Sequence, residues 1–108
     1  MINIKIKPLS VNVCWRGRKF KTDNYKDYEK ELFYLLPKME TPKGKLQIHY
    51  IFGFSTKNSD IDNPVKPFTD ILQKTYDFND RDIYILTVEK QIVKKGKEFI
   101  KFTINEIH

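Results

Sequence analysis

Apolar and polar residues alternate sharply in parts of this chain and recur at helical spacing in others. Ile2, Ile4 and Ile6 alternate with Asn3, Lys5 and Lys7, the pattern of a half-buried strand, and Pro8 ends it because proline offers no N–H to a ladder. Leu46, Ile48, Tyr50, Phe52 and Phe54 alternate with Gln47, His49, Ile51 and Gly53, the clearest strand in the sequence. Between Asp23 and Leu36 the apolar positions are Tyr25, Tyr28, Leu32, Leu35 and Leu36. That is helical spacing, and Pro37 stops it. A second helix is expected over residues 64–76, with Asn63 as cap and Pro64 as first helical residue. Pro67 then falls in the first turn, where a missing N–H matters least.

Residues 82–93 and 98–106 are rich in Ile, Val, Tyr, Phe and Thr and read as two more strands. Lys94-Lys95-Gly96-Lys97 between them reads as a hairpin turn, Gly96 supplying the backbone freedom. Residues 9–22 have little periodicity and much Arg, Lys and Asn, a basic loop; residues 37–44, with Pro37, Pro42 and Gly44, form a connection. The order β-α-β-α-β-β predicts one α+β domain over residues 1–108, a mixed sheet with two helices packed on it.

The length of 108 residues suits one small domain. Such a domain buries only about two-thirds of its unfolded surface, so a partner subunit would help it. No segment approaches the roughly 18 consecutive apolar residues that span a bilayer. The opening MINIKIKPLS lacks a continuous apolar stretch, so no secretory signal is expected and the cell interior is the expected compartment. Cys14 is the only cysteine, which excludes a disulfide framework or a cysteine-based zinc site within one chain.

Charge sharpens the picture. The net charge is +6, from 20 Lys+Arg and 14 Asp+Glu. Residues 1–21 carry Lys5, Lys7, Arg16, Arg18, Lys19 and Lys21 and no acid, whereas residues 60–82 hold Asp60, Asp62, Asp70, Asp77, Asp80 and Asp82 against Lys66, Lys74 and Arg81. An acidic island in a basic protein has a bland reading, in which the aspartates serve turns and helix starts. The sharper reading is a basic surface that meets a polyanion, with carboxylates holding a cation.

Spacing within the island bears on that choice. On a helix Ile61, Val65, Phe68 and Leu72 share one face, while Asp62, Lys66 and Asp70, four apart, share another. Asp60 lies at the end of the incoming loop, and Asp80 immediately precedes the strand that begins near residue 82. If that strand lies beside the one ending at Phe54, its start could approach Asp60 and Asp62. Converging carboxylates repel unless a cation sits between them. Mg²⁺ suits such a place, since it takes oxygen ligands, retains waters and uses one or two carboxylates with substrate phosphate. Lys66 could steady transition-state charge, protonate the leaving oxygen or orient water. The plainer alternative makes Asp62–Lys66 and Lys66–Asp70 ordinary helix-surface ion pairs.

The string Asp60-x-Asp62-Asn63-x-x-Lys66-x-x-x-Asp70-x-Leu72, followed by Asp80-x-x-Ile83, resembles the signature of the RusA family of Holliday junction resolvases. So do the opening Lys7-Pro8-Leu9-Ser10-Val11-Asn12, with Trp15 and the basic loop to Lys21, and Tyr25-Lys26-Asp27-Tyr28. The resemblance runs from about residue 7 to residue 104, and residues 60–83 are its specific part. It implies a Mg²⁺-dependent homodimer, with Mn²⁺ as a substitute ion, that nicks opposed strands of a four-way junction symmetrically. It implies metal ligation by Asp60, Asp62 and Asp80, catalysis by Lys66, support from Asp70 and DNA contact near Asn12. One departure is Asn79-Asp80, where the family often has two adjacent aspartates. Asp80 is taken as the match because its offset to Ile83 fits, and Asp82 as the start of the strand. A bacterial or phage-infected cytoplasm would be the setting.

Trp15, Arg16, Arg18, Lys19 and Lys21 suit phosphate contacts, with Trp15 or Phe20 free to stack or wedge at a branch point. Lys57 and Asn58, beside the acidic cluster, are candidate DNA contacts too, whereas Lys94, Lys95 and Lys97 read as a soluble tip. His49 is expected to be structural and Cys14 a buried thiol. Two functions compete with junction resolution: a nuclease for other branched DNA such as flaps or forks, and a non-catalytic DNA-binding module.

Overall fold

Alternation over residues 46–54 produces the strand around which the rest is arranged. The computed structural model describes residues 1–17 and 20–108; Arg18 and Lys19, both expected at the DNA, lie outside the described residues. In chain order the elements are β1 (Ile2–Ile4), β2 (Trp15–Arg16), β3 (Phe20–Lys21), α1 (Asp23–Leu35), β4 (Leu46–Phe54), α2 (Val65–Tyr76), β5 (Ile83–Ile92) and β6 (Phe99–Glu106). Short 3-10 turns precede β2, at Val11–Val13, and β5, at Asp80–Asp82. This is the α+β domain with a mixed sheet that the sequence predicts, together with a second small sheet, the β2–β3 hairpin. No helix among the described residues is long and apolar enough to cross a membrane.

The main sheet has the order β1-β6-β4-β5. β4 pairs in parallel with β5, from Leu46 opposite Ile83 to Phe54 opposite Ile92, and antiparallel with β6, Tyr50 facing Phe102. The turn expected at residues 94–97 exists, with Lys97 N–H donating to Lys94 O and Gly96 at φ +90°. It is not a hairpin, however, because β4 lies between the strands it joins. β4 is the most heavily apolar strand and gains most by being paired on both edges, which splits the two strands that follow.

Period-two alternation sends Leu46, Ile48, Tyr50, Phe52 and Phe54 to the face that also carries Ile100, Phe102 and Ile104. The helices cover that face. α2 contributes Phe68, Ile71, Leu72 and Tyr76, and α1 contributes Tyr25, Tyr28 and Leu32, all buried. The ring of Phe68 stands edge-on to Tyr50, Phe52 and Phe102 at centroid distances of 5.3, 6.3 and 5.5 Å. Tyr50 OH and Thr69 Oγ1 share a buried hydrogen bond of 2.8 Å, which satisfies both hydroxyls, whereas the buried Tyr28 OH has no partner among the described residues. The opposite face is largely polar, with Gln47, His49, Thr87, Glu89 and Thr103. Gly53 lies there beneath Phe99, whose ring would stand only 2.5 Å from a Cβ at that position.

Local signals set the helix ends. Thr22 caps α1, its side chain accepting from Tyr25 N–H at 3.2 Å. At α2 the cap position belongs to Pro64, which has no side-chain cap bond, and Asn63 instead sits in the turns that precede the helix. Asp77 leaves α2 in the left-handed region at φ 52°, an ending that Asp tolerates better than most residues. Tyr76 OH donates to Pro37 O at 2.6 Å and Thr41 Oγ1 donates to Tyr76 O at 2.6 Å, which pins the connection at residues 37–44 onto the end of α2.

Candidate metal centre and nucleic-acid interface

Beyond β4 the chain makes consecutive turns that carry both leading carboxylates. Asn63 N–H donates to Asp60 O at 3.3 Å and Val65 N–H to Asp62 O at 3.0 Å. The backbone carbonyls of the two aspartates are thus used in turns while both residues remain exposed. Neither carboxylate pairs with a cationic side chain among the described residues. Asp60 also lines a cleft of about 650 Å³ bounded by Tyr28, Phe54, Asn58 and Pro64.

One helical turn after Asp62, Lys66 Nζ lies 3.2 and 3.4 Å from the two carboxylate oxygens of Asp70. Asp70 also accepts from Gln73 Nε2 at 3.4 Å, and Gln73 Oε1 accepts from Asp80 N–H at 2.8 Å. A polar line therefore runs along α2 from Lys66 to the backbone of Asp80. Asp70 and Lys66 form an i,i+4 ion pair at the surface, the contact common to a supporting role for Asp70 and to an ordinary helix-surface pair.

Asp80 does not join Asp60 and Asp62 within one chain. β5 does lie beside β4, but it runs parallel to it, so its start faces Leu46 while Asp60 follows the other end at Phe54. β4 has nine residues and is about 26 Å long at roughly 3.3 Å per residue. The expected approach of Asp80 needed an antiparallel pair. Asp82 belongs to the 3-10 turn rather than to the strand. No group of three His, Cys, Asp or Glu side chains placed to hold a metal ion occurs among the described residues. What Asp60 and Asp62 offer is two exposed carboxylates two residues apart with no cationic partner among the described residues, the donor type taken by a hard, largely hydrated cation such as Mg²⁺.

The basic segment is docked against this region. Val11 N–H donates to Asn63 O at 2.9 Å, tying the N-terminal segment to the turn that carries Asp62. From there the β2–β3 hairpin folds back, with Trp15 opposite Lys21 and Arg16 opposite Phe20. Trp15 rests edge-on against Tyr25 at 5.6 Å. Asn12, Arg16, Lys57 and Asn58 are exposed, and Phe20 is 73% exposed. Burial foremost, and then the charges of Asp70 and Glu29, raise the Cys14 thiol to about 11 and push Tyr25 up in the same way. Cys14 is fully buried, as expected, and donates to Ser10 O at 3.3 Å.

Lys21 is less free than its place in the basic loop suggests. Its Nζ binds Glu29 Oε1 at 2.8 Å, and Lys74 Nζ binds the other oxygen at 3.0 Å. Glu29 is 8% exposed. Burial works against its charge, but the hydrogen bonds from Lys21 and Lys74 outweigh that and hold its carboxyl below the ordinary range. A depressed folded value stabilises the fold above the ordinary carboxylate pKa of about 4.3, and the contribution is lost as pH falls through the folded value. Glu29→Gln should therefore destabilise at neutral pH by on the order of 1–3 kcal/mol, reduced by the exposure of Lys74, and by less in acid once pH falls through the folded carboxyl's own value. Urea denaturation at both pH values measures this; an equal loss at both would show that the carboxylate charge is not what matters.

A scan against protein-family models gives no match for this chain, and a search of curated proteins gives none either.

Proposed function

We propose that this protein is a Mg²⁺-dependent endonuclease for branched DNA, with the four-way junction as substrate and a two-fold homodimer as the working form. The observation that carries the reading is the pair of open carboxylates, Asp60 and Asp62, one helical turn from a lysine that Asp70 holds. The basic hairpin, which follows the segment that Val11 ties to the same turn, supports it. When bound, Mg²⁺ supplies polarisation of the scissile phosphate and eases ionisation of an attacking water. Asp60 and Asp62 would ligate the cation and fix its position relative to α2. Lys66, anchored by Asp70 and otherwise open to solvent, would face the phosphate and offset charge that develops on it. Asn12, Trp15, Arg16, Lys57 and Asn58 would follow the DNA backbone.

One chain has one such site, so paired nicks need two copies related by a two-fold axis. Asp80 keeps the ligand role that the resemblance gave it only if the second copy carries it across to Asp60 and Asp62. A mixture of Asp62→Asn and Asp80→Asn chains would then regain activity in mixed dimers.

The deciding experiment is cleavage of a synthetic four-way junction with Mg²⁺, with nicks mapped on all four arms. Symmetric paired nicks support the proposal. Preferred cutting of flaps or forks would replace the junction as substrate, and salt-sensitive binding without nicking, indifferent to Mg²⁺, would leave a non-catalytic DNA-binding module. Lys66→Ala should slow cleavage by about 10²- to 10³-fold. Its stability should change by no more than about 0.5 kcal/mol, because the Lys66–Asp70 pair is exposed. A wild-type rate would remove Lys66 from the chemistry.

A further inference from the structure

The segment that delivers Asp60 has little regular structure of its own. Between the end of β4 and Asp60, Ser59 N–H donates to Thr56 O at 3.4 Å and Asn58 N–H to Thr56 Oγ1 at 3.2 Å, both bonds internal to the loop. Its tie to the sheet comes from another part of the chain. Lys90, on β5 opposite Phe52, donates from Nζ to Lys57 O at 2.8 Å and also to Ser59 O. The same ammonium stands 5.9 Å from the centre of the Phe54 ring. One half-buried cation thus gathers two loop carbonyls, the second belonging to the residue immediately before Asp60.

We propose that Lys90 is a positioning residue for the cation site, holding the Thr56–Asp60 loop so that the Asp60 carboxylate stands ready beside Asp62. This rests on the metal-site reading above. The physical logic is that of an outer-shell contact: a ligand on an unrestrained loop must be ordered when the cation binds, and a fixed partner removes that cost. Lysine suits the task because its ammonium has three donors and no acceptor, so it can serve two carbonyls at once.

The test is cation affinity, read without catalysis. Mg²⁺ is titrated into the full-length protein, with amide shifts of residues 55–63 followed by NMR, for wild type, Lys90→Arg and Lys90→Met. Lys90→Met should weaken Mg²⁺ binding about 10-fold, in the range typical of lost outer-shell partners, and speed hydrogen exchange at the loop amides while the amides of β4 keep their protection. Lys90→Arg, which retains a multi-donor cation, should recover most of the affinity. In cleavage, excess Mg²⁺ should restore the Lys90→Met rate, because the residue touches no reacting atom. Should Lys90→Met fail to fold, Lys90→Gln, whose amide keeps one donor group, should show an intermediate loss. Unchanged affinity and loop exchange in a folded Lys90→Met or Lys90→Gln would overturn the proposal. A wild-type protein that binds no Mg²⁺ at residues 60–62 would instead overturn the metal-site reading itself.

Discussion

Asp62→Asn is expected to lower Mg²⁺-dependent junction cleavage by on the order of 10³-fold while leaving junction binding nearly intact. The substitution keeps the side chain's size and removes the charge that a hard cation requires. Loss of the metal forfeits several kcal/mol of charge stabilisation in the transition state, and each 1.36 kcal/mol is about tenfold in rate. Asp62 lends the fold its backbone carbonyl, which accepts from Val65 N–H, and the asparagine keeps that bond. Stability should therefore stay within about 0.5 kcal/mol, as for surface changes in general. Single-turnover cleavage alongside a gel-shift titration in Ca²⁺ separates the two effects. Retained cleavage would remove Asp62 from the metal site, and lost binding would mean that it serves the DNA surface instead.

Phe68→Ala should cost about 3–5 kcal/mol of stability, the range for deleting a fully buried phenylalanine. Phe68 is 0% exposed and its ring meets Tyr50, Phe52 and Phe102, so the void would open between α2 and both β4 and β6. A small domain has only about 5–15 kcal/mol in total, so a loss of this size is enough to bring the protein close to unfolding. It also loosens the helix that carries Lys66 and Asp70. Urea denaturation measures the midpoint shift. Tyr34→Ala, at a residue 91% exposed, is the control and should move it little. A loss below about 1 kcal/mol at Phe68 would mean that α2 does not pack as described.

The elements most legible in the sequence are those where one period dominates. β4 spans the residues its alternation marks, and α1 runs from Asp23 to the turn before Pro37 because Tyr25, Tyr28 and Leu32 share one face; the Thr22 cap went unread. The β2–β3 hairpin was not legible, since two-residue strands are too short to show a period. Strand pairing was not legible either. The turn chemistry at residues 94–97 is local and suits a hairpin, whereas the position of β4 between β5 and β6 follows from burial across the whole sheet.

At the candidate site the same division holds. Asp62, Lys66 and Asp70 could be grouped from their spacing because one helix carries or adjoins all three. Asp80 could not be placed, because its location depends on whether β5 runs with or against β4. Glu29 passed unnoticed as a charged residue on a helix. Its spacing of four from Tyr25 and three from Leu32 puts it on the apolar face, and that signal could have marked it as paired. Nothing in the sequence points from Lys90 to the carbonyls of Lys57 and Ser59, since a carbonyl partner leaves no trace in residue type.

The placing of β4 also bears on how the protein is made. As the chain leaves the ribosome, residues 46–54 emerge as an apolar ribbon with neither neighbour yet available. One edge waits for residues 83–92 and the other for residues 99–106. Until that last stretch has been synthesised, the nascent sheet offers open edges to any other extended polypeptide, a condition that favours aggregation and chaperone capture. A stop codon near residue 98 would remove the strand beside Tyr50 and Phe52, leaving the earlier elements translated but unable to close.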